Sequence, residues 1–278
     1  MKNAKQIVFI LIGTSMIFLC VCLILMRNSM GTENTANTRE YGAVVYEEPI
    51  NSLVFEAGAC SVEVVRGEDD EYLLTYDGLK YGNLTHRLED GELRISYTQE
   101  NGWTAKLFVE DDVDNQKITL TVPKDAVLDR AVFEFGAAEI DMDRIEAKEI
   151  YITVGAGELN ADRLVATEHA VLKVGAGAFY ADNVKLTNAE LECGVGEMNI
   201  SGTIDGKGTA DCGVGALELG ILGEQDEYYG ELNCGLGKVH FGDIRIKEGE
   251  NKSYGTSSAE HRMDIKCGIG KVDVYFQN

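Results

Sequence analysis

Proline, tryptophan and basic side chains are scarce in this 278-residue chain, which has 2 prolines, 1 tryptophan and 25 lysines and arginines against 47 acidic residues. The net charge of −22 repels phosphate backbones and anionic lipid headgroups, so it argues against nucleic-acid binding. A single tryptophan, Trp103, argues against the aromatic cleft of a polysaccharide-cleaving solenoid. The 31 glycines are typical of repetitive β-structure with glycine corners.

Residues 7–26 read IVFILIGTSMIFLCVCLILM and contain no charge. Twenty apolar residues are enough to span a hydrocarbon core of about 30 Å. Lys2 and Lys5 precede this segment and only Arg27 follows closely, so the positive-inside rule places the N-terminus in the cytoplasm. The sequence predicts a single-pass signal anchor in the cell membrane, with the bulk of the chain extracellular.

This anchor divides the chain into a cytoplasmic tail at 1–6, the transmembrane segment at 7–26, a flexible polar tether at 27–42 and an exported domain at 43–278. A cleaved signal peptide is one alternative, although its apolar region spans only about 7–15 residues. A lipid anchor on Cys20 or Cys22 is another, but Leu19 and Val21 stand where such processing needs a small residue.

An internal repeat, marked by a Gly-x-Gly pair, organises the exported domain. When residues are numbered from the first glycine of each pair, positions −1, +1, +4 and +6 are apolar, as in Val154, Ala156, Leu159 and Ala161. This pattern predicts two strands with one buried face and a glycine-dependent kink between them. Two weaker copies around Gly58 and Gly136 keep only the first glycine, and the full Gly-x-Gly pairs are Gly155/Gly157, Gly175/Gly177, Gly194/Gly196, Gly213/Gly215, Gly235/Gly237 and Gly268/Gly270.

The repeat predicts an all-β fold, a single-stack β-solenoid (β-helix-like) of about 19–20 residues per coil, preceded by one N-terminal transmembrane helix. Regular coils are expected at 129–278. The strand-like segments within 66–128 interrupt the repeat, and we expect a hairpin excursion there that caps the first coil against edge pairing.

The run ITLTVPKDAVLDRAVFEFGAAEIDM at 118–142, followed by VGAGELNAD and CGVGEMNIS units, resembles the putative-adhesin β-strand-repeat family of bacterial envelope proteins. The resemblance covers roughly residues 50–276. It implies glycine-marked repeats behind a membrane anchor, without an agreed biochemical activity and without defined catalytic residues. Some members of the family are encoded in operons for envelope-stress sensing.

Four cysteines, Cys193, Cys212, Cys234 and Cys267, occupy the −1 position of their repeats. The −1 position holds cysteine in repeats whose +1 residue is Val, Leu or Ile, and valine in repeats whose +1 residue is Ala. Pairing a large side chain with a small one in this way would conserve core volume. We therefore expect buried free thiols, with disulfides between neighbouring coils as the alternative. Cys60, in a weaker repeat, is expected to be equally inert.

Asp143, Asp162 and Asp182 form a second column at +7. Each is expected to cap its own turn by accepting backbone N–H groups, with Arg144 and Arg163 offsetting the charge, while a ladder of calcium ions is the alternative. The DDVDN run at 111–115 lacks the glycine and terminal glutamate of a calcium loop.

The chain has four histidines, which are His86, His169, His240 and His261. They share no regular spacing, and we expect them to be solvated. We therefore predict no catalytic, cofactor-binding or metal-binding residues, and no cofactor.

The leading functional hypothesis is a non-catalytic envelope protein whose acidic solenoid serves adhesion or interaction with an envelope protein or surface ligand. An accessory or sensor component of an envelope-stress response and a polysaccharide-acting β-helix enzyme are the alternatives. The last strand, Lys271–Phe276, is expected to be an unpaired edge suited to self-association. In the other interpretation, the polar insert at 247–262 folds over it as a cap.

Overall fold

The computed structural model describes residues 40–79, 82–99 and 116–277. The predicted tail, the anchor segment 7–26, most of the tether, Trp103 and the 111–115 turn lie outside the described residues. No helix within the described ranges is long and apolar enough to cross a membrane. The first strand begins at Glu40, slightly before the expected domain boundary at residue 43.

The described residues form one sheet of sixteen strands and a short 3-10 helix at Gln225–Glu227. The strands are β1 (Glu40–Tyr46), β2 (Ser52–Ala57), β3 (Ser61–Arg66), β4 (Tyr72–Leu79), β5 (Gly82–Glu89), β6 (Glu92–Gln99), β7 (Lys117–Val122), β8 (Leu128–Phe135), β9 (Glu139–Thr187), β10 (Ala189–Asp205), β11 (Lys207–Leu222), β12 (Tyr228–Cys234), β13 (Lys238–Phe241), β14 (Ile244–Ile246), β15 (Asn251–Tyr254) and β16 (His261–Gln277).

The repeats stack as parallel coils in register, so the prediction of an all-β, solenoid-like fold is confirmed. Gly196 of β10 pairs with Gly177 of β9 on one side and with Gly215 of β11 on the other. Alternate side chains point inward, and the −1, +4 and +6 columns are buried throughout, as in Val154, Leu159 and Ala161. Each fully buried aliphatic side chain contributes about 1.5–3 kcal/mol to folding, and stacking joins these columns into one core.

The C-terminal coil does not lie at the end of the stack. Strand β16 pairs in parallel with β11 on one side and with β12 and β13 on the other. The expectation that Lys271–Phe276 is an unpaired edge is therefore wrong for Lys271–Val274, which pair on both sides, while Tyr275 and Phe276 pair with β11 alone. The stack ends instead on the coil of Gly235, where β14 and β15 run antiparallel to β13 and β12. Part of the 247–262 insert thus forms a cap, but over the neighbouring coil.

The N-terminal end uses the same arrangement. Strands β6 and β7 pair in parallel with β2 and β3, and β2 and β3 pair in turn with β8 and β9. The segment 66–128 is therefore only partly the predicted capping excursion, because β6 and β7 supply the outermost coil. The cap consists of β4 and β5, which run antiparallel to β7 and β6, with β1 beside β4.

At four of the six Gly-x-Gly corners, the second glycine combines a positive φ with a close approach to the next coil. Gly177 and Gly196 have φ of 152° and 154°, in the region that favours glycine. A Cβ atom on Gly196 would lie 2.0 Å from the carbonyl oxygen of Gly177 in the coil below. The kink predicted between the two strands is thus confirmed. Successive corners touch in the order Gly58, Gly136, Gly155, Gly175, Gly194, Gly213, Gly268 and Gly235.

Candidate functional surface

The apolar residues between the paired glycines face solvent rather than the core. Val195, Val214, Ile269 and Leu236 are 58%, 46%, 54% and 63% exposed, respectively. The expectation that the +1 position is buried is wrong, because the glycine kink turns the chain outward between positions −1 and +4. These four side chains come from consecutive coils, and we call them the corner ridge.

Towards the N-terminal end, the same corner column holds only small residues. A shallow depression, here called the corner groove, is lined there by Ala137, Ala156, Gly157, Gly177 and Ala178, with Glu139 and Glu158 beside it. Alanine methyl groups and glycine backbone leave an apolar floor at this end. The corner therefore changes from a groove to a ridge along the stack.

The sheet that follows each corner carries a dense set of carboxylates. Five consecutive coils, whose first glycines are Gly136, Gly155, Gly175, Gly194 and Gly213, form this part of the sheet. Counted from those glycines, the outward positions +3, +5 and +7 include no lysine or arginine. We call this surface the acidic face, and its carboxylates are Glu139, Asp141, Asp143, Glu158, Asp162, Asp182, Glu197 and Glu218. Such a field extends beyond the surface and favours cationic partners.

The aspartate column at +7 lies within this face and behaves only partly as predicted. Asp143 Oδ2 accepts a hydrogen bond of 2.9 Å from the Arg66 backbone N–H, which belongs to the neighbouring coil rather than to its own turn. Among the described residues, the carboxylates of Asp162 and Asp182 have no hydrogen-bond partner. The Arg144 guanidinium pairs with Glu146 instead of offsetting Asp143.

Asp162 shows the electrostatic consequence. Partial burial, followed by the charges of Asp143, Asp182 and Asp141, raises its pKa above the usual value. The described residues therefore provide no hydrogen bond that relieves the repulsion at the Asp162 carboxylate. No group of three or more potential metal ligands occurs in the described part of the chain.

The sheet before each corner has a mixed surface that carries lysine and arginine as well as carboxylates. Lys173 Nζ lies 2.7 Å from Glu192 in the next coil. The Arg130 guanidinium lies over the ring of Tyr151, 5.0 Å from its centre. The acidic face differs in that its outward positions in five coils include no lysine or arginine to offset the carboxylates.

The cysteine column is buried, and its thiols are free. In the stack its order is Cys193, Cys212, Cys267 and Cys234, because β16 is inserted before the last coil. The compensating volumes expected at +1 are not the cause, since those side chains are exposed. A hydrogen bond with Cys193, followed by burial, raises the pKa of the Cys212 thiol. Burial raises the pKa of Cys60 to about 12, which keeps that thiol protonated and unreactive.

The histidines do not come together. The expectation that they are simply solvated is wrong for His169, His240 and His261, whereas His86 is exposed and its ring packs edge-on against Tyr46. His240 Nδ1 lies 2.9 Å from Asp273, and His261 Nδ1 accepts a hydrogen bond of 3.1 Å from the Gly206 backbone N–H. The ring of His169 packs edge-on against Tyr151. These contacts are structural, whereas sequence spacing alone gave no signal for them.

Several solved structures are similar to this chain. A "putative cell adhesion protein" from Clostridium sporogenes is 14% identical over 86% of this chain and 100% of its own, with a TM-score of 0.38. A "putative adhesin" from Bacteroides fragilis is 13% identical over 86% and 98%, with a TM-score of 0.40. A "putative lipid binding protein" from Parabacteroides distasonis is 14% identical over 84% and 96%, with a TM-score of 0.34.

None of the curated proteins matches this chain. Because the superpositions on the solved structures are loose, family membership rests on the sequence. The model of the Toastrack DUF4097 family matches residues 50–274, which include every glycine corner and both ends of the stack. This match confirms the resemblance found from the repeats, and the chain belongs to the Toastrack DUF4097 family.

Proposed function

We propose that this protein is a non-catalytic envelope protein that presents its acidic face outside the membrane to a cationic partner. The uncompensated carboxylates of that face are the observation that carries the proposal. Residues 7–26 would anchor the chain, with the N-terminus in the cytoplasm. The partner would be another envelope component or a surface ligand with exposed lysine, arginine or amine groups.

A stacked sheet is suited to this role. If the exported domain is a single-stack solenoid of about 19–20 residues per coil, its outward columns repeat about every 4.8 Å. A partner with several positive charges could then neutralise several carboxylates at once. Relief of the repulsion around Asp162 would add to the attraction. Binding of this kind is fast at low ionic strength and weakens as salt is added.

The test uses the full-length chain in its native membrane. A photoreactive amino acid is placed at Asp141 on the acidic face or, as the control, at Glu190 on the mixed surface; both positions are exposed. We expect a crosslinked adduct from position 141 alone, and its loss in 1 M salt, where the Debye length is about 3 Å. An adduct that forms equally at position 190, or that survives in high salt, would contradict the proposal.

A matched pair of variants separates the acidic face from total charge. Both variants carry the photoreactive amino acid at position 141. The double variant Asp162→Asn, Asp182→Asn removes two further charges from the acidic face, and the control, Glu134→Gln, Asp211→Asn, removes two from the exposed mixed surface. Only the first should abolish the adduct. Equal losses would show that net charge, rather than this face, attracts the partner.

A further inference from the structure

The glycine corner is self-complementary in shape. Its N-terminal end is the corner groove, floored by alanine and glycine, and its C-terminal end is the corner ridge of exposed Val, Ile and Leu. From the Gly136 coil to the C-terminal end of the stack, the +1 residues run Ala137, Ala156, Ala176, Val195, Val214, Ile269 and Leu236, and the Gly58 coil before them carries Ala59. Large side chains thus follow small ones, and Val195 stands at the centre of the series.

Charge along the corner follows the same division. At the +3 position, beside the corner, the groove end carries Glu139 and Glu158, whereas the ridge end carries Lys271 and Lys238. Glutamates therefore border the groove, and lysines border the ridge. The two ends of the corner are complementary in charge as well as in shape.

We propose that the corner is an interface between two copies of this chain, packed antiparallel about a two-fold axis at the coil of Val195. In this arrangement the ridge of each copy enters the groove of the other. The central residue Val195 meets Val195 of the second copy. The other +1 residues meet as small–large pairs, namely Ala176 with Val214, Ala156 with Ile269 and Ala137 with Leu236.

The charges beside the corner pair under the same symmetry. An axis in the interface plane, perpendicular to the stack, keeps the acidic faces on the same side of the dimer. Glu139 then lies opposite Lys238 of the second copy, and Glu158 lies opposite Lys271. Lys271 also contacts Asp273 within its own chain, but an ammonium group has three donors. The one like-charge contact is Glu197, which meets its own copy at the axis.

The interface is a narrow strip. Seven +1 residues separated by about 4.8 Å span about 29 Å, so the buried area falls below that of a standard stable interface. We therefore expect a weak dimer in solution, favoured when the chains are concentrated in one membrane. The inference does not depend on the proposed function, because the +5 and +7 columns of the acidic face remain open.

Crosslinking in the native membrane tests the geometry. In the full chain carrying Cys20→Ser and Cys22→Ser, Val195→Cys should give a disulfide-linked dimer with a mild oxidant, because position 195 lies on the axis. Ala137→Cys and Leu236→Cys should each give little dimer alone but a heterodimer when co-expressed. Glu190→Cys on the mixed surface is the exposed control. A Val195→Cys band no stronger than that of Glu190→Cys would overturn the proposal, as would equal homodimers from positions 137 and 236.

Sedimentation of the full chain in detergent supplies a second readout. Ala156→Phe fills the exposed groove and should abolish the dimer, with an unchanged circular dichroism spectrum. Glu197→Gln removes the like-charge contact at the axis and should strengthen the dimer by at most about fivefold. Lys238→Glu should weaken it, and Glu139→Lys in the same chain should restore it. A dimer indifferent to Ala156→Phe, or weakened by Glu197→Gln, would refute this interface.

Discussion

At the residue scale, the six Gly-x-Gly corners depend most on their second glycine. The carbonyl group of one coil occupies the place that a side chain would need in the next, as with Gly177 beneath Gly196. Backbone conformation and close approach thus impose the same requirement on one residue. This explains why the Gly-x-Gly pair persists in six repeats while the residue between the glycines varies from Ala to Leu.

The substitution Gly196→Ala should therefore be severe. It combines a φ of 154° with a Cβ atom placed 2.0 Å from a backbone oxygen, and we expect it to lower the free energy of unfolding by about 3 kcal/mol or more. Gly249→Ala is the matched control, since Gly249 also has positive φ but no atom within 4 Å of the added Cβ. It should cost about 1 kcal/mol. Denaturant unfolding measures both, and similar losses would argue against the stacking requirement.

At the element scale, the order of the coils differs from their order along the chain. The C-terminal strand β16 enters between β11 and β12, and the β2–β3 coil enters between β6–β7 and β8–β9. Both ends are then closed by antiparallel strands, which blunt the exposed edges of the sheet. Integrity of the C-terminal half thus depends on the last segment of the chain.

Much of this fold follows from the sequence, because the buried −1, +4 and +6 columns obey a period-two pattern. The exposure of Val195 could not be predicted, since an apolar residue beside a kink fits either side of it. The order of the coils in the stack could not be predicted from the sequence either. Every coil offers the same apolar template and backbone register, so only the inserts between coils decide which neighbours meet, and their polar sequences carry no pairing signal.

Proline in β16 tests the position of that strand. Val274 pairs with Leu219 on one side and Phe241 on the other, so Val274→Pro should lower the free energy of unfolding by about 3 kcal/mol. The control is Glu248→Pro. Lys247–Glu250 form a turn in which Glu248 is the second residue, and the third residue, Gly249, has φ of 73°. Proline suits that turn position, so the control should be neutral. Thermal melting compares them, and a tolerated Val274→Pro would mean that β16 is an edge after all.

At the scale of the whole molecule, the two surfaces proposed here have separate tasks. The glycine corner would join two copies, and the acidic face, lateral to the corner, would remain open to a cationic partner. Antiparallel pairing keeps the two acidic faces on the same side of the dimer. A membrane-held pair could therefore bind a multivalent cationic surface more tightly than one copy, through effective concentration alone.

The proposed binding of a cationic partner outside the membrane requires the stack to lie outside the cell, and membrane topology provides the last prediction. Lys2 and Lys5 precede residues 7–26, so the positive-inside rule orients the exported domain outward. Protease added to intact cells should remove the full-length band by cutting the polar segment at 27–39 or exposed turns such as 247–250, while a cytoplasmic marker stays intact. An epitope placed before Lys2 should remain protected. Survival of the full-length chain in intact cells, with digestion after lysis, would place the stack on the cytoplasmic side and contradict the proposed function, whereas the dimer at the glycine corner would be unaffected.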